Sequence, residues 1–118
     1  MLNDKRTYDI RGAAMEVYNT FGPGLLESVY QKALKRELEL RGYDVRTECS
    51  IPIVYKGEVL DTSFRLDLII DDTVIIELKS VEDVLPVQFK QLRTYLRLVN
   101  LNQGLLINVG EADFSDGI

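Results

Sequence analysis

The chain contains no histidine and only one cysteine among its 118 residues. The first absence removes Ser-His-Asp and Cys-His catalysis, and His-rich zinc sites, from consideration. The second leaves Cys49 without a disulfide partner, which fits a reducing cytoplasm and a structural or incidental role. No apolar run approaches the roughly 20 residues of a membrane span, and the polar N-terminus does not read as a signal peptide. A cytoplasmic location without membrane contact is the expectation. Positive charge is also scarce, since 14 Lys and Arg face 19 Asp and Glu for a net charge of −5. That balance argues against a protein that clamps nucleic acid by bulk electrostatics, but it permits acidic residues gathered at a metal site. The remainder is ordinary for one globular domain spanning 1–118, with 46% hydrophobic and 28% charged residues.

Against that plain background, the segment "FRLDLIIDDTVIIELKS" stands out. Each half is an apolar run that reads as a buried strand, yet Asp67 interrupts one, and Glu77 and Lys79 interrupt the other. Burying an unpaired charge costs several kcal/mol or more, so such runs normally exclude charges. Two carboxylates and an ammonium kept together there suggest a site that binds a cation.

Register decides whether they meet. Strand side chains alternate, so Arg65, Asp67 and Ile69 should share one face, and Ile75, Glu77 and Lys79 should share one. A two-residue loop at Asp71-Asp72 would pair 70 with 73 and put Asp67 and Glu77 on opposite faces. A three-residue loop, Asp71-Asp72-Thr73, pairs 70 with 74 and sets Asp67 opposite Glu77. Directly opposed Cβ atoms lie about 4.5–5.5 Å apart, close enough to chelate one hard cation. Such loops want a residue tolerant of positive φ, and Asp serves, so the longer loop is expected.

Periodicity organises the rest of the chain. Ile10, Ala14, Val17, Tyr18 and Phe21 mark one helix face, and "FGPG" then breaks the chain. A second helix is expected from Leu25 to Arg41, with Leu26, Val29, Tyr30, Ala33 and Leu34 on its apolar face and Gly42 as its stop. Val45 to Tyr55, Val59 to Ile70 and Val74 to Lys79 read as strands, the first two joined at Lys56-Gly57. A third helix covers Val87 to Asn100, and Gly104 to Val109 form a final buried strand. The order is α-α-β-β-β-α-β, an α/β (α+β) mixed sheet flanked by helices.

Both later helices carry polar residues on or beside their apolar faces. Glu27 projects near Leu34 and Leu38, although its position close to a helix N-terminus already has a good account in the helix dipole. Glu37 also falls on the apolar side and can pair with Arg41. In the third helix, Leu85, Leu92, Leu96 and Val99 define the core face, with Phe89 beside them. Gln88 and Tyr95 fall on that face, and Gln91 flanks it. Buried amides are hydrogen-bonded, so both glutamines should point at something polar, a backbone carbonyl or water being the simpler partner. Lys90, Arg93 and Arg97 form a basic stripe on the opposite face, which is usually a solvated face and could also meet phosphates.

Taken together, these residues resemble the PD-(D/E)XK nuclease superfamily and, within it, the GxxExxY family. Gly24-Leu25-Leu26-Glu27-Ser28-Val29-Tyr30 matches the motif that names the family. Asp67 matches the superfamily's metal-binding aspartate, Glu77-Leu78-Lys79 its (D/E)-x-K element, and Gln91-Leu92-Arg93-Thr94-Tyr95 the Q-x-x-x-Y element of RecB-type nucleases. An isolated E-x-K is a weak signal, whereas four elements in order on the expected helices and strands form a strong one. The likeness runs from Gly12-Ala13-Ala14 to Leu106-Ile107-Asn108. It departs where relatives often carry histidine, here Tyr18 and Gln88. Relatives also tend to continue beyond Ile118, so a short terminal element is expected to be missing.

The resemblance implies a restriction-endonuclease-like core and a Mg²⁺- or Mn²⁺-dependent phosphodiesterase. Its substrate would be DNA sooner than RNA. Asp67, Glu77 and the Leu78 backbone carbonyl would hold the metal, with Glu27 joining directly or through water. Lys79 would orient or deprotonate the attacking water, or relieve phosphoryl charge. Gln91 would position water or a phosphate, Tyr95 would support it, and Lys90, Arg93 and Arg97 would meet the substrate backbone. Homodimerisation would suit so small a nuclease, although no residue establishes it. Two other readings compete. One is a non-catalytic nucleic-acid-binding or protein-interaction module on the same fold. The other is a structural salt-bridge network in which Arg65 and Lys79 neutralise Asp67 and Glu77, with bidentate Arg65 pairing as its signature.

Overall fold

The computed structural model describes residues 5–110 and, for the backbone alone, 113–116. The two ends of the 1–118 span, Ile118 among them, lie outside the described residues. Two helices come first, α1 (Lys5–Phe21) and α2 (Glu27–Leu40), followed by the strands β1 (Val45–Tyr55), β2 (Glu58–Ile70) and β3 (Val74–Lys79). Helix α3 (Pro86–Val99) then leads to β4 (Gln103–Asn108) and β5 (Asp113–Asp116). The sheet order follows the chain order from β1 to β5. All neighbours are antiparallel except β3 and β4, which run parallel because α3 provides the crossover between them. This is the restriction-endonuclease-like mixed architecture expected, with one correction. A terminal strand, β5, continues the sheet past β4, where the sequence pattern implies no further element. Its sequence, Asp-Phe-Ser-Asp, has little intrinsic strand preference, so its state is set by pairing with the β4 edge.

Helices α1 and α2 cover one face of the sheet, and α3 covers the other. Ile10, Ala13, Ala14 and Val17 recur at helical spacing in α1 and pack with Tyr30, Leu34 and Leu38 of α2. That layer closes over Val45, Leu68, Ile70, Val74, Ile76, Leu78, Leu105 and Ile107. The opposite core joins Leu92 and Leu96 of α3 to Ile69, Ile75 and Leu106. Helix α2 begins at Glu27, two residues later than its pattern suggests. Gly24 takes a φ of +102°, a backbone only glycine adopts freely, and Leu26 is still extended and 74% exposed. The Tyr30 hydroxyl pins this break, accepting from the Leu25 N–H and donating to the Gly22 carbonyl. Leu85 likewise falls outside the core: it is the exposed residue before α3, not part of its packed face.

Candidate active site

The sheet forks. Strand β2 pairs with β1 over most of its length, and β3 pairs with β4 as far as Lys79, yet β2 and β3 pair with each other only at Leu68–Ile76, Ile69–Ile75 and Ile70–Val74. The pairing of 70 with 74 is the three-residue-loop register, with Asp71 and Asp72 both at φ +52° and the Thr73 N–H closing on the Ile70 carbonyl. Asp67 and Glu77 are the next residues along, at the crotch where the strands part.

There the carboxylates replace the missing ladder. The Asp67 N–H donates to Glu77 Oε2 at 2.9 Å, and the Leu78 N–H donates to Asp67 Oδ2 at 2.8 Å. The other oxygens, Asp67 Oδ1 and Glu77 Oε1, take no part in these two bonds.

The faces of β2 do not alternate as the sequence implies. Leu68 and Ile70 lie in the α1–α2 core, whereas Phe64, Leu66 and Ile69 all pack with α3. Residues 66 and 68 therefore point to opposite faces. Strand β1 does the same, with Val45 in one core and Cys49 and Ile51 in the other. The crossover falls at Glu48, which takes φ +52° in mid-strand and lies across from Asp67 between the Thr47–Leu68 and Cys49–Leu66 pairs. The β1–β2 ribbon turns over at this point. Hence Arg65, Asp67 and Ile69 do not share a face, and the Asp67 carboxylate reaches toward β3 instead of up or down.

Burial and crowding set the electrostatics. Glu77 is 7% exposed, and burial, followed by the nearby Asp67 charge, pushes its carboxyl up to about 7. The Asp67 N–H and Lys79 oppose that rise, while Glu27 adds to it. Burial also raises Asp67, against the Leu78 N–H and Lys79, with Glu48 raising it and Arg65 lowering it. Glu27, the first residue of α2, lies one turn ahead of the buried Tyr30–Leu34–Leu38 stripe and is exposed. On the other side, α3 brings Tyr95, stacked on Phe64 at 4.5 Å. Burial raises its phenol first, and it lies close enough for both carboxylates to add to the rise.

Other expected residues stand apart. Gln88 does not face the site, because its Oε1 accepts from the Leu85 N–H at 2.7 Å and finishes the N-terminus of α3. Gln91 is exposed, not buried as its place beside the apolar face suggested, and sits one turn ahead of Tyr95. Lys90, Arg93 and Arg97 are exposed on the outer side of α3, away from Leu92 and Leu96. Among the described residues, no three His, Cys, Asp or Glu side chains cluster tightly enough to hold a metal. Asp67 and Glu77 are thus brought together, with Glu27 farther off. Their chemistry still fits a hard cation: two adjacent carboxylates, Glu77 buried and Asp67 half-buried, both raised and each with one oxygen outside the backbone hydrogen bonds. Arg65 pairs with Glu48 at 3.3 Å instead of with Asp67 or Glu77, which removes the signature of the salt-bridge reading.

Asn108 is a site residue that the apolar run "GLLINVG" signals only as one polar intrusion. It is 3% exposed and lies beside Lys79 in the parallel β3–β4 register. Its Oδ1 accepts from the N–H groups of Val81 (3.1 Å) and Gly110 (2.9 Å), and its Nδ2 donates to the Val81 carbonyl (2.8 Å). The chain leaving Lys79 is thereby clamped to the end of β4. The approach is tight enough that a Cβ at Gly110 would stand 2.6 Å from the Val81 oxygen. Glu48, by contrast, has no signal in the sequence, because its importance lies in a backbone angle.

The family profile of the PD-(D/E)XK nuclease superfamily matches residues 4–118, and the chain belongs to that superfamily. Among curated proteins and among solved structures, nothing matches it significantly.

Proposed function

We propose that this member of the PD-(D/E)XK nuclease superfamily hydrolyses phosphodiester bonds of DNA with the help of Mg²⁺ or Mn²⁺, and that it falls within the GxxExxY family. The observation that carries the reading is the fork in the sheet, where Asp67 and Glu77 lie adjacent and the Lys79 charge acts on both. Asp67, Glu77 and the Leu78 carbonyl would hold the ion, with Glu27 reaching it through water. When bound, the ion supplies charge relief to the phosphoryl group and acidifies a ligated water.

The protein's own groups do the rest. Glu77, raised to about 7, gives up its proton on taking a cation, so affinity should increase with pH up to that value. Lys79, on the α3 side with Glu77, aligns the attacking water or balances the phosphoryl charge, and Asn108 fixes the backbone from which it extends. In the hydrolysis, the water oxygen bonds to phosphorus as it releases a proton to solvent, the bond to the leaving oxygen breaks, and that oxygen takes up a proton from solvent. Tyr95 borders the same opening from α3, and Gln91 lies one turn ahead of it on the helix.

The test is cleavage of single- and double-stranded DNA and RNA with and without Mg²⁺ or Mn²⁺, using Lys79→Ala as control. Loss of a positioned general acid–base group is worth roughly 10²–10⁴ in rate. Metal-dependent cleavage by wild type that falls to this extent supports the reading. Binding without cleavage by wild type would instead favour a non-catalytic module, a reading supported by the absence of a three-ligand cluster among the described residues.

A further inference from the structure

The basic stripe of α3 faces away from the carboxylates, which leaves open which cation meets the substrate backbone at the fork. Arg65 is placed to do so. It lies on β2 two residues before Asp67, pairs across the ribbon with Ser50, is exposed on the face opposite Phe64 and Leu66, and its charge acts on Asp67. Its Nη1 is 3.3 Å from Oε1 of Glu48, and the two side chains are 66% and 46% exposed. Glu48 is also the mid-strand residue whose left-handed backbone turns the β1–β2 ribbon over, across from Asp67. That conformation is strained for a residue with a Cβ. Strain of this kind gathers at functional positions.

The pair itself contributes little to stability. An exposed Arg–Glu bridge is weak in water, so a competing anion readily displaces the glutamate. A phosphodiester offers a guanidinium the same two-oxygen geometry as a carboxylate. The guanidinium, in contact with a single Glu48 oxygen, can exchange that carboxylate for a phosphate.

We infer that Arg65 binds a backbone phosphate of the nucleic acid adjacent to the scissile bond, with Glu48 holding the guanidinium in position until that phosphate replaces it. The inference rests on the nuclease reading above and names a binding residue for it. It also predicts that the α3 stripe is not the sole phosphate contact.

The experiment measures binding of a labelled DNA duplex by fluorescence anisotropy across salt. It uses the full chain in a Lys79→Ala background with Mg²⁺, so that the duplex stays intact. A phosphate contact on duplex DNA releases about 0.9 counterion, worth roughly eightfold in affinity at about 0.1 M salt. Arg65→Gln should lose about that factor and flatten the log–log salt slope by about 0.9. Arg65→Lys should keep the slope and recover part of the affinity. Glu48→Gln should bind more tightly, since it removes the competing anion. Lys35→Gln, which removes the same charge on the remote face of α2, should change little. Equal affinity and slope for Arg65→Gln in a parent that binds DNA would overturn the inference while leaving the nuclease reading intact. Unchanged binding by Glu48→Gln would remove the holding role. If the wild type neither binds nor cleaves DNA, the reading and the inference fall together.

Discussion

Glu77→Gln isolates the cost of keeping a buried carboxylate beside Asp67. In the unfolded chain Glu77 ionises near 4.5, whereas in the fold burial and Asp67 hold it to about 7. Between those values the native state retains a proton that the unfolded state has released. Native protein thus binds more protons in that window, and stability falls as pH rises through it. Below the window both states are protonated and the penalty is absent; above it the loss is complete. At about 1.36 kcal/mol per pH unit, the gap amounts to about 3 kcal/mol. Glutamine stays neutral and its carbonyl can still accept from the Asp67 N–H, so the variant avoids the penalty but keeps the hydrogen bond. The assay is urea unfolding in chelator from about pH 4.5 to about pH 8, which spans the titration of this carboxyl in both the folded and the unfolded chain. The variant should match wild type at the acid end and exceed it by about 3 kcal/mol at the alkaline end, roughly 10 °C in Tm. Asp67 shifts in the same direction, so both proteins retain some residual slope. Curves that run parallel across the window would refute the reasoning, because Glu77 would then be ionising as freely as in the unfolded chain.

Two further predictions rest on the same geometry. Millimolar Mg²⁺ or Mn²⁺ near neutral pH should raise the Tm of wild type by neutralising the Asp67–Glu77 repulsion, and Asp67→Ala should abolish that rise; an unchanged wild-type melting curve would count against the metal site. Asn108→Ala strips partners from the Val81 N–H, the Val81 carbonyl and the Gly110 N–H. It should cost about 2–4 kcal/mol with an unchanged urea m-value, and a loss below about 0.5 kcal/mol would show that the clamp contributes little.

Much of the fold is legible along the chain because local rules agree with the tertiary outcome. The tyrosine and leucines of α2 recur at the spacing of one face, and Tyr30, Leu34 and Leu38 are its buried residues. The 70–74 pairing expected of an Asp71-Asp72-Thr73 loop is the one found, with both aspartates accepting positive φ. Strand β5 escapes notice in the sequence because nothing in Asp113–Asp116 distinguishes it from a polar tail until β4 offers an edge. Gln88 misleads for the opposite reason: its place on an apolar face is real, but a local backbone N–H claims its side chain.

Reading along the chain is enough to find charges where apolar strands should exclude them, and to see that one loop length would bring Asp67 and Glu77 together. Both are short-range properties of composition and register. Three outcomes needed the assembled molecule. Strands β2 and β3 part at that point, the β1–β2 ribbon turns over at Glu48, and the carboxylates turn inward to bind backbone N–H groups. Those outcomes depend on which core claims each side of the ribbon. That competition is between two helical layers far apart in the chain, and no local pattern encodes it.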